Sequence, residues 1–231
     1  MKKKVLIAVL IIIVIALVVI GYFVFSDMMQ EDKLKTELTE IYQLTNAETI
    51  DMDAINERLN RTITKGDYAV VEEAFKSYLK DNFDNSIEIA NILNDEKITS
   101  LLTVENYKED GKDFTESKSY ITTTKATLEN CKEKYTEFLT EEKAMSYINN
   151  KGLDSYYTDL YKEEFVGDME TAESDGIVEN SIDEVISILN TSEEILNLLS
   201  ENQDSWEIDG DTIVFSSESL SDEYNELVDA L

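Results

Sequence analysis

The sequence predicts a mainly α-helical protein, in which an N-terminal transmembrane helix is followed by an extracytoplasmic helical bundle with a small C-terminal β-hairpin. Three observations predict this fold class: an uncharged apolar run near the N-terminus, apolar residues recurring every three or four positions after it, and no proline among 231 residues. Average usage of about 5% would give roughly eleven prolines, and long uninterrupted helices are the structures that tolerate their absence.

The apolar run covers residues 5–25 and contains no charged residue. A helix of this length spans about 30 Å, which is the thickness of the hydrocarbon core of a bilayer. A cleaved signal peptide is the alternative interpretation. Its apolar region would be only about 7–15 residues long and would end at a small-residue cleavage site, which this sequence lacks. We therefore expect an uncleaved transmembrane helix that contacts membrane lipid.

The charges on either side of residues 5–25 predict the orientation. Lys2, Lys3 and Lys4 precede the run, whereas Asp27 and Glu31 follow it. The positive-inside rule places residues 1–4 in the cytoplasm as a short tip and the rest of the chain outside. We expect a single-pass protein of the cell membrane.

The remainder is predicted to form a helical stem, residues 26–44, and one acidic domain, residues 45–231, without an internal boundary. Apolar residues at helical spacing predict each element in turn. They lie on the stem (Leu34, Leu38, Ile41), on a short helix (Ile50, Ile55, Leu59), on a helix over 67–94 that starts at Gly66-Asp67 (Val71, Phe75, Leu79, Phe83, Ile87, Ala90, Leu93) and on a short turn or helix (Ile98, Leu101, Leu102).

Residues 106–113 (NYKEDGKD) are predicted to be a loop. Thr115 is expected to cap a long helix that ends at Gly152 and whose apolar face is Ile121, Leu128, Cys131, Tyr135, Phe138, Met145 and Ile148. Two further helices follow, one starting at Asp154 or Ser155 (Tyr157, Leu160, Tyr161, Phe165) and one beyond Gly176 (Val178, Ile182, Val185, Leu189, Leu196, Leu199).

Residues 206–215 are the only segment that predicts β-structure. Asp209-Gly210 is expected to form the two-residue turn, which would place Trp206 opposite Ile213 and Ile208 opposite Asp211. The apolar side chains of both strands then share one face and should pack onto the bundle. A last helix, capped near Ser219, carries Leu220, Tyr224, Leu227 and Leu231.

The charge excludes nucleic acid as a partner. Because Lys2–Lys4 precede the apolar run, the chain from Ser26 holds 17 basic and 50 acidic residues, a net charge of −33. This field repels phosphates and attracts a basic or envelope protein partner and weakly bound divalent cations. Crowding of like charges should also raise carboxyl pKa values on balance, so that the folded state gains stability as the pH falls from 7 toward about 5.

The sequence assigns no catalytic, cofactor-binding or metal-binding residue, and it implies no cofactor. Histidine is absent, and Cys131 is the single cysteine, which excludes the common nucleophile–base pairs and zinc sites. Ser77 and Lys80 match the S-x-x-K spacing of penicillin-binding enzymes, but the companion motifs are missing. No glycine fits position 6 of an EF-hand loop. The aromatic residues of 154–161 and Trp206 are interpreted as packing residues.

We therefore expect a membrane-anchored extracytoplasmic interaction or envelope-associated protein without catalytic activity. The alternative is a tethered module that binds a cation, a small ligand or a cell-wall glycan.

Overall fold

A computed structural model describes residues 29–45, 51–162 and 176–231. The chain is mainly helical, with a two-stranded antiparallel hairpin near its C-terminus. The elements are α1 (Met29–Thr45), α2 (Met52–Leu59), α3 (Asp67–Leu93), α4 (Glu96–Ser100), α5 (Val104–Asp110), α6 (Thr115–Phe138), α7 (Glu141–Ser146), α8 (Ser155–Tyr161), α9 (Ile177–Glu201), a 3₁₀ turn (Gln203–Ser205), β1 (Trp206–Asp209), β2 (Thr212–Phe215) and α10 (Glu218–Asp229). The predicted helical bundle and hairpin are thus confirmed.

The predicted transmembrane segment, residues 5–25, lies outside the described residues. Of the helices that the structure does describe, none combines the length and the apolar character needed to cross a membrane.

The chain forms two compact units. The first, called here the stem unit, combines the chain up to Ala90 with Cys131–Val178. The second, the hairpin unit, combines Asn91–Asn130 with Glu179–Leu231. Each boundary between the units falls inside a helix, in α3, α6 and α9. Within the described residues, no boundary between the units falls in a loop.

The core of the stem unit is built by helices with one apolar face. The predicted stem residues Leu34, Leu38 and Ile41 are all buried, and the face of α3 packs against them. Of the apolar residues predicted to share one face of α3, those up to Phe83 are buried, as is Leu93, whereas Ile87 is only half-buried. Ile89, which was not predicted, is buried. The remaining core residues are Ile55, Leu59, Ala74, Tyr78, Phe138, Ala144, Ile148 and Tyr161.

Two predictions about the middle of the chain are wrong. The loop predicted over 106–113 is confined to a turn at 111–113, because α5 occupies Val104–Asp110, with Thr103 as its N-cap and Tyr107 buried. The long helix also ends at Phe138 rather than near Gly152. Thr140 caps the separate helix α7, in which its hydroxyl accepts a hydrogen bond from the backbone of Lys143. Both errors arose because an N-cap threonine was overlooked.

Asp110 performs the capping role that the sequence predicted for Thr115. Its two carboxylate oxygens accept hydrogen bonds from the backbone N–H groups of Glu116 and Ser117, at 2.9 and 2.8 Å. Burial raises the pKa of Asp110, but these hydrogen bonds outweigh it, and the pKa lies below its usual value. In the last helix the cap is Ser217 rather than Ser219.

The hairpin forms where it was predicted, but in a different register. Trp206 pairs with Phe215 and Ile208 with Ile213, so the turn residues are Gly210 and Asp211. Gly210 has a φ of +62°, which suits the first central position of a type II′ turn, where glycine is favoured. The expected pairing of Trp206 with Ile213 is therefore wrong. The four apolar side chains still share one face, since each pair of them is directly opposed.

Trp206 anchors the hairpin in the core of the hairpin unit. The side chain is 4% exposed, and its ring stacks on Phe114 with centroids 6.1 Å apart. The indole Nε1 donates a hydrogen bond of 2.8 Å to the carbonyl of Leu199 at the end of α9. Lys112 Nζ lies 4.5 Å from the centre of the indole ring and donates to the Trp206 carbonyl. The expectation that the indole packs on the bundle is confirmed.

We predict that Trp206→Ala lowers the free energy of unfolding of the hairpin unit by about 3–5 kcal/mol, because it removes a buried ring and its hydrogen bond together. Val214→Ala on β2 is the control, since that side chain is 44% exposed. It should cost less than about 0.5 kcal/mol. Denaturant unfolding followed by circular dichroism measures both. Equal, small losses would contradict the packing described here.

Candidate functional site

Two clusters of polar side chains connect α1 to the rest of the stem unit. The first, called here the Glu37 cluster, consists of Glu37, Glu72, Lys76, Arg58 and Arg61. The second, called here the Glu31 site, consists of Glu31 and three tyrosines, Tyr68, Tyr156 and Tyr157. Neither cluster was predicted as a candidate site from the sequence.

The centre of the Glu37 cluster is fully buried. Glu37 on α1 is 1% exposed, and Lys76 on α3 donates a hydrogen bond of 3.0 Å to its Oε1. Lys76 also pairs with Glu72 Oε1, one helical turn earlier on α3, at 2.7 Å. A third hydrogen bond, of 2.9 Å, runs from Lys76 to the carbonyl of Arg61. All three ammonium protons therefore have an acceptor.

Both arginines of the sequence converge on the same glutamate. Arg61 donates to the two carboxylate oxygens of Glu37 at 2.8 and 2.5 Å, and Arg58 donates to Oε2 at 2.9 Å. Arg58 also pairs with the more exposed Glu40. Glu72 accepts hydrogen bonds from the backbone of Ile63 and from the backbone and hydroxyl of Thr64.

These contacts keep the buried acids ionised. Burial raises the pKa of Glu37, but the hydrogen bonds from Arg61 and Lys76 hold it at about 2. Burial likewise raises the pKa of Glu72, and its bonds with Lys76 and Thr64 bring it below the usual value. Among described carboxyl groups, the shifted ones, Glu37, Glu72 and Asp110, are all lowered, opposite to the general expectation from like charge. The Glu37 cluster is saturated with internal contacts and is therefore a structural part of the stem unit.

The Glu31 site differs because one of its buried atoms has no partner. Glu31 is 3% exposed, and the hydroxyls of Tyr68 and Tyr156 both donate to its Oε1, at 3.1 and 2.8 Å. Oε2 is also buried and accepts no hydrogen bond in the part of the chain that the structure describes. An unsatisfied buried polar atom costs about 1–3 kcal/mol, and more when it is charged.

A third tyrosine ring packs on the two tyrosines that donate to this carboxylate. Tyr157 meets Tyr68 edge to face at 5.1 Å and Tyr156 edge to face at 5.2 Å, with interplanar angles of 89° and 83°. Tyr156 itself is 51% exposed. Burial is the main cause that raises the pKa of Tyr68, and the hydrogen bond to Glu31 is the main cause for Tyr156. Both hydroxyls therefore keep their protons and donate.

The aromatic run 154–161 thus divides into two roles. Asp154 is the N-cap of α8, as predicted, and Tyr161 is buried in the core of the stem unit. Tyr157 and Leu160 are only half-buried, so the predicted packing stripe is incomplete. Tyr156 was not part of that stripe, yet its hydroxyl reaches Glu31. The tyrosine-rich composition of the run was the only sequence signal for this contact.

Ser77, Lys80 and Cys131 belong to neither cluster. Ser77 is exposed on α3, and Lys80 pairs with Asp84. Cys131 is buried, and burial raises the pKa of its thiol to about 11. Within residues 29–45, 51–162 and 176–231, no three His, Cys, Asp or Glu side chains are grouped so that they could hold a metal ion.

Comparisons with family models, curated proteins and solved structures found no match to this chain.

We predict that Glu37→Gln costs about 3–5 kcal/mol of stability, because it leaves Lys76 and two arginines without their shared carboxylate. Asp84→Asn is the control, since it breaks an exposed pair with Lys80 and should cost less than about 1 kcal/mol. Chemical denaturation of both variants at neutral pH gives the comparison. A Glu37 variant as stable as the control would show that the cluster does not hold α1 in place.

The pH dependence provides a separate test of the same cluster. Glu37 has a folded-state pKa of about 2 against an ordinary value of 4.5, so its contribution is complete above about pH 4.5 and is lost as the pH falls toward about 2. We expect the wild type to lose stability across this window and Glu37→Gln to lose markedly less. Thermal unfolding between pH 7 and 2.5 measures the difference. Parallel curves for the two proteins would contradict the assignment.

Proposed function

We propose that this chain is a membrane-anchored extracytoplasmic interaction protein without catalytic activity, which presents an acidic surface to a basic protein partner. The observation that carries the proposal is the docking of α1, the helix nearest to the expected anchor. Its apolar face is part of the stem-unit core, and Glu37 is locked into the buried cluster with α3.

A docked stem has a different consequence from a flexible linker. A flexible linker lets a tethered domain sample many positions, whereas a docked helix fixes the place where the chain leaves the folded unit. Glu31 follows Phe25 by six positions, a distance over which a chain reaches at most about 22 Å. The proposed anchor would therefore hold the start of the stem unit close to the membrane surface.

The surface charge supports a basic partner. The chain from Ser26 has 33 more acidic than basic residues, so internal pairing cannot neutralise it. Several basic side chains already face internal acceptors, namely those of Arg58, Arg61, Lys76, Lys108, Lys112, Lys118 and Lys125. The surplus carboxylates attract a cationic protein and accelerate its approach.

The location can be tested by thiol labelling of intact cells. We expect Asp229→Cys, at an exposed position near the end of α10, to react with a membrane-impermeant maleimide added from outside. The unsubstituted chain is the control, because Cys131 is buried and its raised pKa keeps it in the unreactive thiol form. Labelling only after lysis would place the domain in the cytoplasm and overturn the proposal.

Binding can be tested with defined peptides. We expect the full chain, held in a neutral-lipid nanodisc, to bind pentalysine and pentaarginine peptides and to lose affinity as salt rises from about 0.05 to about 0.2 M, because screening weakens contacts between exposed charges. An uncharged peptide of equal length is the control. Calorimetric titration measures each affinity. Failure of both basic peptides to bind at low salt would contradict a basic partner.

A further inference from the structure

We infer that the Glu31 site binds the ammonium group of a lysine side chain on the basic partner, through Glu31 Oε2, the carboxylate oxygen that the neighbouring tyrosines leave without a donor. The inference rests on the proposed function, which supplies a basic partner, and adds the residues that recognise it.

The unpartnered oxygen determines the charge of the ligand. Glu31 Oε2 is a buried carboxylate oxygen without a hydrogen-bond donor in the described part of the chain, whereas Oε1 already accepts two tyrosine hydroxyls. A group that binds here must donate a hydrogen bond and should carry positive charge.

The geometry selects an ammonium over a guanidinium. Arginine binds a carboxylate best when both of its oxygens accept, and here only one oxygen is available. A primary ammonium needs a single strong acceptor and can place its remaining protons toward other acceptors or water. A trimethylated ammonium carries the positive charge but has no proton to donate to Oε2. The site therefore fits an unmodified lysine.

Tyr156 provides the route to the buried oxygen. This residue is half exposed on the short helix α8, while its hydroxyl donates to Oε1 of Glu31. A small displacement of Tyr156 toward solvent opens the path to Oε2, and its hydroxyl donates to Oε1 again once the ammonium is bound. Tyr68, which is 8% exposed, retains its hydrogen bond and keeps the carboxylate in position.

The net charge distinguishes a protein lysine from a lipid headgroup. Phosphatidylethanolamine also carries a primary ammonium, but its phosphate lies only two carbons away. A surface with a net charge of −33 repels that phosphate, whereas a lysine on a basic protein has no such neighbour. The four-carbon stem of lysine is also long enough to lie against tyrosine rings while the ammonium reaches the acid.

The experiment compares lysine with arginine at equal charge. Pentalysine and pentaarginine peptides are titrated against the full chain in neutral-lipid nanodiscs. We expect pentalysine to bind about tenfold more tightly, the effect of one charge-assisted contact. Glu31→Gln should reduce the ratio of the two affinities to about one, because its amide nitrogen donates rather than accepts. Asp32→Asn, which removes the same charge from an exposed neighbour, should leave the ratio unchanged.

The outcomes separate this inference from the proposed function. Binding of both peptides with equal affinity would overturn the lysine site and leave the basic partner standing, whereas binding of neither would overturn both. An unchanged ratio in Glu31→Gln would also overturn the site. A trimethyl-lysine peptide that binds as well as pentalysine would overturn the site, because it would show that the ligand donates no hydrogen bond to Oε2. Vesicles of phosphatidylethanolamine that bind through Glu31 when pentalysine does not would assign the site to lipid. Circular dichroism checks that each variant is folded.

Discussion

The buried contact between Glu37 of α1 and Lys76 of α3 fixes how the stem helix packs. Leu34, Leu38 and Ile41 would remain apolar contacts if α1 slid along its neighbour, since hydrophobic packing is not directional. A slip of one helical turn, about 5.4 Å, would instead leave Glu37 and Lys76 as uncompensated buried charges. Both ions have lost their water, so the cluster is weak evidence for net stability. Its physical role is to make one arrangement of α1 much lower in free energy than the others.

The same constraint positions the Glu31 site. Tyr68, Glu72 and Lys76 follow each other at intervals of four on α3, so they lie along one face of that helix. Glu31 meets Tyr68 and Glu37 meets Lys76, which means that the contacts advance in the same direction along α1 and α3. A change at Glu37 that allowed α1 to move would therefore also separate Glu31 from Tyr68. The structural cluster and the candidate binding site are two parts of one helix–helix contact.

Apolar spacing in the sequence predicted the helices and the hairpin, since burial of one face is what that spacing reports. It could not predict the Glu37 cluster, because Glu72 and Lys76 are four residues apart and look like an ordinary pair on a solvated surface. Only the fold shows that a second glutamate and two arginines meet them. Thr103 and Thr140 are residue types that often cap helices, but the polar residues around them obscured this signal. The hairpin register depended on whether Gly210 is the first or second turn residue, and Asp209-Gly210 suggested the second.

The acidic composition contains two groups of carboxylates with opposite roles. Glu37 and Glu72 take up both arginines and a buried lysine, which holds their pKa values down and makes them part of the framework. Both arginines are thus used inside the stem unit. Only lysines remain to balance the acids on the surface, and the sequence contains too few lysines to do so. Internal pairing thus does not offset the surplus of acids that the surface presents. Glu31 belongs to neither group, because it is buried like the first and lacks a cation like the second. A positive group from another molecule is the partner that we propose for it.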